Sequence, residues 1–278
     1  MCSQADLSPA LLASESDGLL VFRFRAAVEA DGPRHAISTR LGGRSVRRLA
    51  SCNMSFLAEE PATVTLANRT AFARAAGIPL EHWVAAQQVH GSAVARVGAA
   101  DRGRGARDTH TRLPGIDALI TTEPGVALTV RGADCGLVLL WAPSQPALGV
   151  AHAGWQGLAA GVLTSTVRAL CHAATLGPGE LWACVSPAIG ACCYQVGSEV
   201  REALARGPGG LERAFAERTG NLWLDVERAC TLQLLSAGLV EAHVARAGVC
   251  TACHREVFYS ARADGEPTGR FVLVAMWA

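Results

Sequence analysis

Two histidines and a cysteine stand where apolar runs give way to glycine. They are His90 in Gln88-Val89-His90-Gly91, Cys135 in Ala133-Asp134-Cys135-Gly136, and His152 in Ala151-His152-Ala153-Gly154. Glycine permits tight turns and close backbone approach, so a strand that ends beside one can present a polar side chain to an open cleft. Two imidazoles and one thiolate make a three-ligand tetrahedral zinc site whose fourth position is free for water, the pattern of catalytic rather than structural zinc. Zinc would draw the pKa of that water toward about 7 and supply a nucleophile at neutral pH. Copper exceeds zinc in affinity and would suit the same donors. The same atoms also support a metal-free dyad, with Cys135 as nucleophile and His152 as base. Spacing does not separate dyad from zinc site, and the plain alternative to both is a His or Cys packed beside a strand.

The run after His152, Gly154-Trp155-Gln156-Gly157, reads as a strand-to-helix turn whose free backbone N–H groups could cradle an anion. Anion binding is constrained here, because all 25 basic residues are arginine and there is no lysine. That removes Schiff-base chemistry and the phosphate-gripping lysine of P-loops and kinases. Arginine, backbone amides or a metal must do that work instead.

These residues need strands to carry them. Val126 to Val130, Leu137 to Trp141, Leu148 to Ala151 and Phe271 to Trp277 read as strands, the second and third joined by a hairpin loop at 142–146. Pro61 to Ala76, Leu158 to Ala173, Ser198 to Arg206, Leu211 to Thr219 and Asp225 to Gly238 have helical composition, while Gly98 to Gly115 reads as an exposed loop. Strands and helices intersperse without a strict βαβ rhythm, which favours a mixed-sheet α+β or α/β fold. No repeat or linker divides the 278 residues, so one domain is expected.

A net charge of +1 provides no basic field for nucleic acid or an anionic membrane. Half the residues are hydrophobic, enough for a sizeable core. The longest apolar run, Gly136 to Ala142, is far short of the roughly 18 residues that span a bilayer. Met1 to Leu20 carries three acids and no basic residue, unlike a secretory or mitochondrial leader. A cytoplasmic location is expected, with residues 1–20 peripheral or poorly ordered. Ten cysteines are then read as reduced core thiols with one working thiolate. Eight histidines without a single His-x-His exclude a multicopper oxidase, which needs such pairs for its copper cluster.

Cys250-Thr251-Ala252-Cys253-His254 matches the c-type haem attachment pattern, but that chemistry belongs outside the cytoplasm. A zinc deaminase signature would place His-x-Glu upstream of Pro-Cys-x-x-Cys, whereas His254-Arg255-Glu256 follows it and Val249 replaces the proline. The expectation is a surface loop with one core thiol.

An ordered set of segments carries a resemblance. It runs through His35 to Gly43, Gln88-Val89-His90-Gly91, Asp117 to Thr121, Ala133-Asp134-Cys135 and Ala151 to Trp155. It continues with Pro187-Ala188-Ile189-Gly190, Cys192-Cys193-Tyr194 and Thr268-Gly269-Arg270. From about Ala36 to the C-terminus the chain resembles the YfiH family, also called laccase-domain or polyphenol oxidase family proteins. That family includes bacterial purine nucleoside phosphorylases related to human laccase-domain-containing protein. The resemblance implies one domain of four layers, α/β/β/α, with mixed sheets, and zinc on His90, Cys135 and His152. It implies phosphorolysis of adenosine, inosine, guanosine and 5′-methylthioadenosine, accompanied by adenosine deamination.

The chain departs from the family pattern at Gln156, where a basic residue is usual, at Gly136-Leu137, at Ala261 and Ala263, and at Cys230, where asparagine is expected. Within the implied site, Asp134 is a candidate to orient a metal ligand. Arg40 and Arg262 are candidates to hold phosphate or another anion. Asn53 and Tyr194 are candidates to line the pocket. The partners expected are purine nucleosides and phosphate, with no nucleic acid or membrane, and the chain acting as a monomer or homodimer. Two other readings stand beside this one. In the first, zinc or Cys135 hydrolyses an amide in a peptidoglycan precursor; in the second, a closed metal stabilises a binding module.

Overall fold

Period-two alternation places the two faces of each central strand in different cores. The computed structural model describes residues 7–278. The first strands are β1 (Leu11–Ser16), β2 (Leu19–Phe24), β3 (Arg34–Ser38), β4 (Trp83–Ala85) and β5 (Val94–Arg96). β6 (Ala118–Thr121), β7 (Ala127–Gly132), β8 (Gly136–Trp141), β9 (Leu148–Ala153) and β10 (Trp182–Val185) follow. The last are β11 (Gln195–Val196), β12 (Phe215–Arg218), β13 (Asn221–Leu224), β14 (Val244–Arg246) and β15 (Phe271–Met276). The helices are α1 (Arg25–Glu29), α2 (Ala62–Ala76), α3 (Trp155–Ala159), α4 (Val162–Ala174), α5 (Ser198–Arg206), α6 (Val226–Ser236) and α7 (Ala261–Asp264).

Two six-stranded sheets form, ordered β1-β2-β3-β15-β7-β4 and β14-β10-β8-β9-β6-β5. Both are mixed: β4 pairs β7, β5 pairs β6 and β10 pairs β14 in parallel, and the remaining neighbours are antiparallel. Leu137, Leu139 and Trp141 of β8 meet Leu128, Val130 and Leu273 of the first sheet in the inter-sheet core. Val138 and Leu140, one residue out of phase, pack with Leu163, Val167 and Leu170 of α4 and Leu234 of α6. On the far side, Val272 and Val274 of β15 pack against Phe72 and Ala73 of α2. The layers are therefore α/β/β/α, as the sequence resemblance implied. All six residues of β8 are buried because helices cover one face and a sheet the other.

Four expectations are corrected. Residues 11–20 are not peripheral, since they form β1 and the start of β2, where Leu19 and Leu20 are buried; residues 1–6 lie outside the described residues. The single helix expected over Leu158 to Ala173 is two, because Gly161 turns left-handed at φ 79° and ends α3 after five residues. The expected strand-to-helix turn at Gly154 is present, but the helix it opens has only five residues. Leu211 to Thr219 begins as a 3-10 turn, Leu211–Ala214, and continues as β12. Left-handed Thr219 and Gly220 fold β12 onto β13 as a two-residue hairpin. The 98–115 segment is irregular but not wholly exposed: Ala106 is buried, and the buried Arg69 guanidinium donates to the Gly105 and Ala106 carbonyls at 2.8 Å.

Candidate functional site

The seam between the sheets is where the chain crosses from β7 to β8, and Cys135 sits in that crossing. Its neighbour Asp134 takes φ 94°, which lets the strand leave one sheet and enter the other. His90 lies beyond β4 in a turn where Gln88 and His90 take φ 60° and 62°. His152 is the fifth residue of β9. The fold brings these three together, with one ligand atom from each within 4.8 Å of the others. The imidazoles of His90 and His152 meet edge-on, with ring centroids 4.8 Å apart.

Asp117, the residue before β6, organises this cluster. Its carboxylate accepts the backbone N–H groups of Val89, His90 and Gly91 at 3.0, 2.9 and 2.8 Å, which secures the strained turn. It also faces His152 Nδ1 at 3.0 Å, which turns Nε2 toward the cluster. Burial raises the Asp117 pKa, but the bonds from His152, Gly91 and Val89 outweigh it, and the carboxyl titrates below its ordinary range. Burial pulls the His152 imidazole down, so it is neutral at neutral pH and has a free lone pair. Burial pushes the Cys135 thiol up to about 12, and in the absence of a bound cation it is protonated and poorly nucleophilic. Gly154 leaves the space that the cluster occupies, because a Cβ there would sit 2.9 Å from Cys135 Sγ and 3.1 Å from His90 Cδ2. The donors are those of a soft or borderline metal: two nitrogens, one sulfur, and a carboxylate behind a histidine.

The cluster forms the floor of a cleft of about 560 Å³, within the range of small-molecule sites. Arg112, Arg131, Arg262 and Arg270 line its walls, together with Phe56, Trp155, Tyr194 and Gln88. Burial, with Arg112 nearby, pulls Arg131 down to about 10, which leaves it cationic at neutral pH. Arg262 lies over the Tyr194 ring at 4.8 Å and donates to the Gln195 carbonyl at 2.9 Å. Asp134 accepts from Thr251 Oγ1 and from the Arg262 backbone N–H, both at 2.7 Å.

Of the residues expected here, the cleft therefore holds His90, Cys135, His152, Asp134, Tyr194 and Arg262. Asp134 anchors the start of α7 at Arg262, and the orienting bond expected of it is made by Asp117 to His152. Arg40 is not in the cleft. It pairs with Asp264 at 3.1 Å, donates to the Arg255 and Ala50 carbonyls, and lies over Tyr259. Asn53 is fully buried behind the wall, where it holds Ser55 N–H and Arg270 N–H at 3.0 Å each. Sequence reasoning missed Asp117, Arg112, Arg131 and Arg270 as site residues. Asp117 and Arg270 lie inside quoted motifs, so their positions carried a signal without a role. Two departures from the family pattern, Gln156 and Ala261, line the cleft. Cys230 does not: it is buried behind Gly136, whose Cβ would meet its sulfur at 2.8 Å.

Comparison with known proteins places this arrangement. A purine nucleoside phosphorylase named YlmD from Geobacillus stearothermophilus is 37% identical over 238 residues, covering 85% of this chain and 87% of that protein. The crystal structure of YlmD from that organism matches with a TM-score of 0.87 at 33% identity, covering 95% of this chain and 98% of the other. A Bacillus licheniformis hypothetical protein, YfiH, matches at 0.86 and 28% identity over the same shares. An adenosine deaminase, RL5, from an unknown prokaryotic organism is 29% identical over 73% of this chain and 78% of its own length. The family model described as multi-copper polyphenol oxidoreductase laccase matches residues 34–278, and the chain belongs to that family.

Proposed function

We propose that this chain is a zinc-dependent purine nucleoside phosphorylase acting on adenosine, inosine, guanosine and 5′-methylthioadenosine, with adenosine deamination at the same site. One observation carries the proposal: a cluster of three metal-binding side chains opens onto a cleft walled by guanidinium groups and aromatic rings. The relatives' names point the same way, phosphorylase in one case and deaminase in the other. His90, Cys135 and His152 would hold the metal. Bound there, zinc would supply Lewis acidity able to polarise a substrate atom and acidify water.

The chain's own residues do the positioning. In phosphorolysis a phosphate oxygen bonds to the anomeric carbon as the bond from that carbon to the purine breaks, and positive charge develops on the sugar. Arg262 and Arg270, which line the cleft together with Arg112 and Arg131, attract and orient the phosphate by charge-assisted hydrogen bonds. Trp155, Phe56 and Tyr194 offer the apolar faces against which a purine packs. Asp117 fixes His152 and the His90 turn, so both are held in place before substrate arrives.

The test is base release from adenosine and inosine as a function of phosphate. Release that rises with phosphate and saturates, with ribose 1-phosphate as co-product, is the expected result. A flat response would move the assignment to a hydrolase, the amide-editing reading among the alternatives.

A further inference from the structure

The Cys250-x-x-Cys253 pair lies on a surface loop as expected, but neither sulfur is a core thiol, since Cys250 is half-buried and Cys253 exposed. The chain after β10 carries Cys192 and Cys193, the chain after β14 carries Cys250 and Cys253, and all four sulfurs lie within 4.8 Å of one another. Cys253 Sγ is 3.4 Å from both Cys192 Sγ and Cys193 Sγ. The two segments meet at a parallel bridge between Ala188 and Cys250, and Gly190 N–H points at Cys250 Sγ at 3.4 Å.

We propose that Cys192, Cys193, Cys250 and Cys253 form a second metal centre, a closed tetrathiolate site for zinc. Four sulfurs about 2.3 Å from a tetrahedral centre lie about 3.8 Å apart, and the gathered sulfurs span that spacing. A disulfide would draw one pair to about 2 Å and leave the other two sulfurs without a role. An iron–sulfur cluster interposes several atoms between its cysteines and spaces them wider. The four thiols lose their protons to solvent on binding, and the N–H of Gly190 supports the thiolate of Cys250.

The centre differs from the cleft cluster in having no vacant position, so it has no direct part in turnover and ties two loops together. One loop carries Ile189 and Tyr194 and the other leads through Thr251 to Ala261 and Arg262, all but Thr251 lining the cleft. The centre thus staples one wall of the cleft from behind. It stands independently of the phosphorylase reading.

The test counts zinc by native mass spectrometry on full-length protein purified under reducing conditions. Wild type should carry two ions per chain, Cys135→Ala one, Cys192→Ser/Cys253→Ser one, and the combined variant none. Both substituted thiols of the second variant are exposed, which favours folding; if that variant fails to fold, the Cys135→Ala count decides. Cobalt bound to Cys135→Ala protein should show the intense charge-transfer absorption of four thiolates. A Cys135→Ala protein with no metal, or with its mass lowered by disulfide formation among these cysteines, overturns the proposal.

Discussion

The chain gathers soft ligands twice, and the two clusters are built in opposite ways. His90, Cys135 and His152 come from three separate strand ends at the seam of the sheets, with three donors facing an open cleft. Cys192, Cys193, Cys250 and Cys253 come from two loops, one adjacent pair and one pair three residues apart, with four donors that would leave a metal no vacant position. The carboxylates beneath them differ in the same sense. Asp117 accepts three backbone N–H groups and faces His152, and it titrates below its ordinary range. Glu227 of α6 accepts only Gly248 and Val249 N–H ahead of Cys250, and burial pushes it up to about 7. A charge is secured where it orients His152 of the open cluster. Where the loops need only be fastened together, the carboxyl is left close to neutrality.

The sharpest way to break this contrast is Cys135→Ala. It should empty the three-ligand site, leave the thiolate site filled, and cut base release at least about a thousandfold, because a metal Lewis acid contributes several kcal/mol. Full zinc stoichiometry in that variant would refute the ligand assignment. Asp117→Asn should weaken metal at the open site by about 10- to 100-fold, measured by chelator competition, with the thiolate site unchanged. Unchanged affinity would mean that something other than Asp117 aims His152.

Arg262→Ala should raise the KM for phosphate by about tenfold, the worth of one charge-assisted hydrogen bond. Arg40→Ala should leave that KM alone and cost about 2 kcal/mol in urea unfolding, because its ion pair and stacking are structural. Equal effects on KM would erase the distinction between the two arginines. The smallest effect is on pH dependence. With its folded pKa raised from 4.5 to about 7, Glu227 contributes stability that is complete below pH 4.5 and lost as pH rises through 7. Glu227→Gln should remove that decline, at most about 3 kcal/mol, from the difference between unfolding curves at pH 4.5 and 7.5. Parallel curves would show that Glu227 does not titrate in this window.

The central strands and the gathering of His90, Cys135 and His152 were legible because each rests on a local pattern, whereas the α/β/β/α layering came from the family resemblance. Strands such as β8 and β9 announce themselves by apolar runs, and the three ligands stand beside glycines. What was missed depends on contacts far apart in sequence. Asp117 reaches His152 across 35 residues, and Cys192 reaches Cys253 across 61, distances at which spacing carries no signal. Arg40 and Asn53 lie in or near recognisable segments, but a motif does not say which way a side chain points, and both are spent on the protein itself. At Leu211 to Thr219 local composition favoured a helix, and the pairing of β12 with β13 overrode it.

The pairing of β6 with β9 sets Ala118 opposite Ala151, and the Asp117 carbonyl accepts the His152 N–H at 2.8 Å. Aiming the His152 imidazole and zipping the second sheet are accordingly one event. A slip of one residue would turn Asp117 and His152 to opposite faces and every apolar partner with them. A chain in that state is misfolded rather than folded and idle. Natural variants that keep the fold yet lose activity are therefore to be sought in the 88–91 turn and the 250–262 segment, where geometry can change without unzipping a strand.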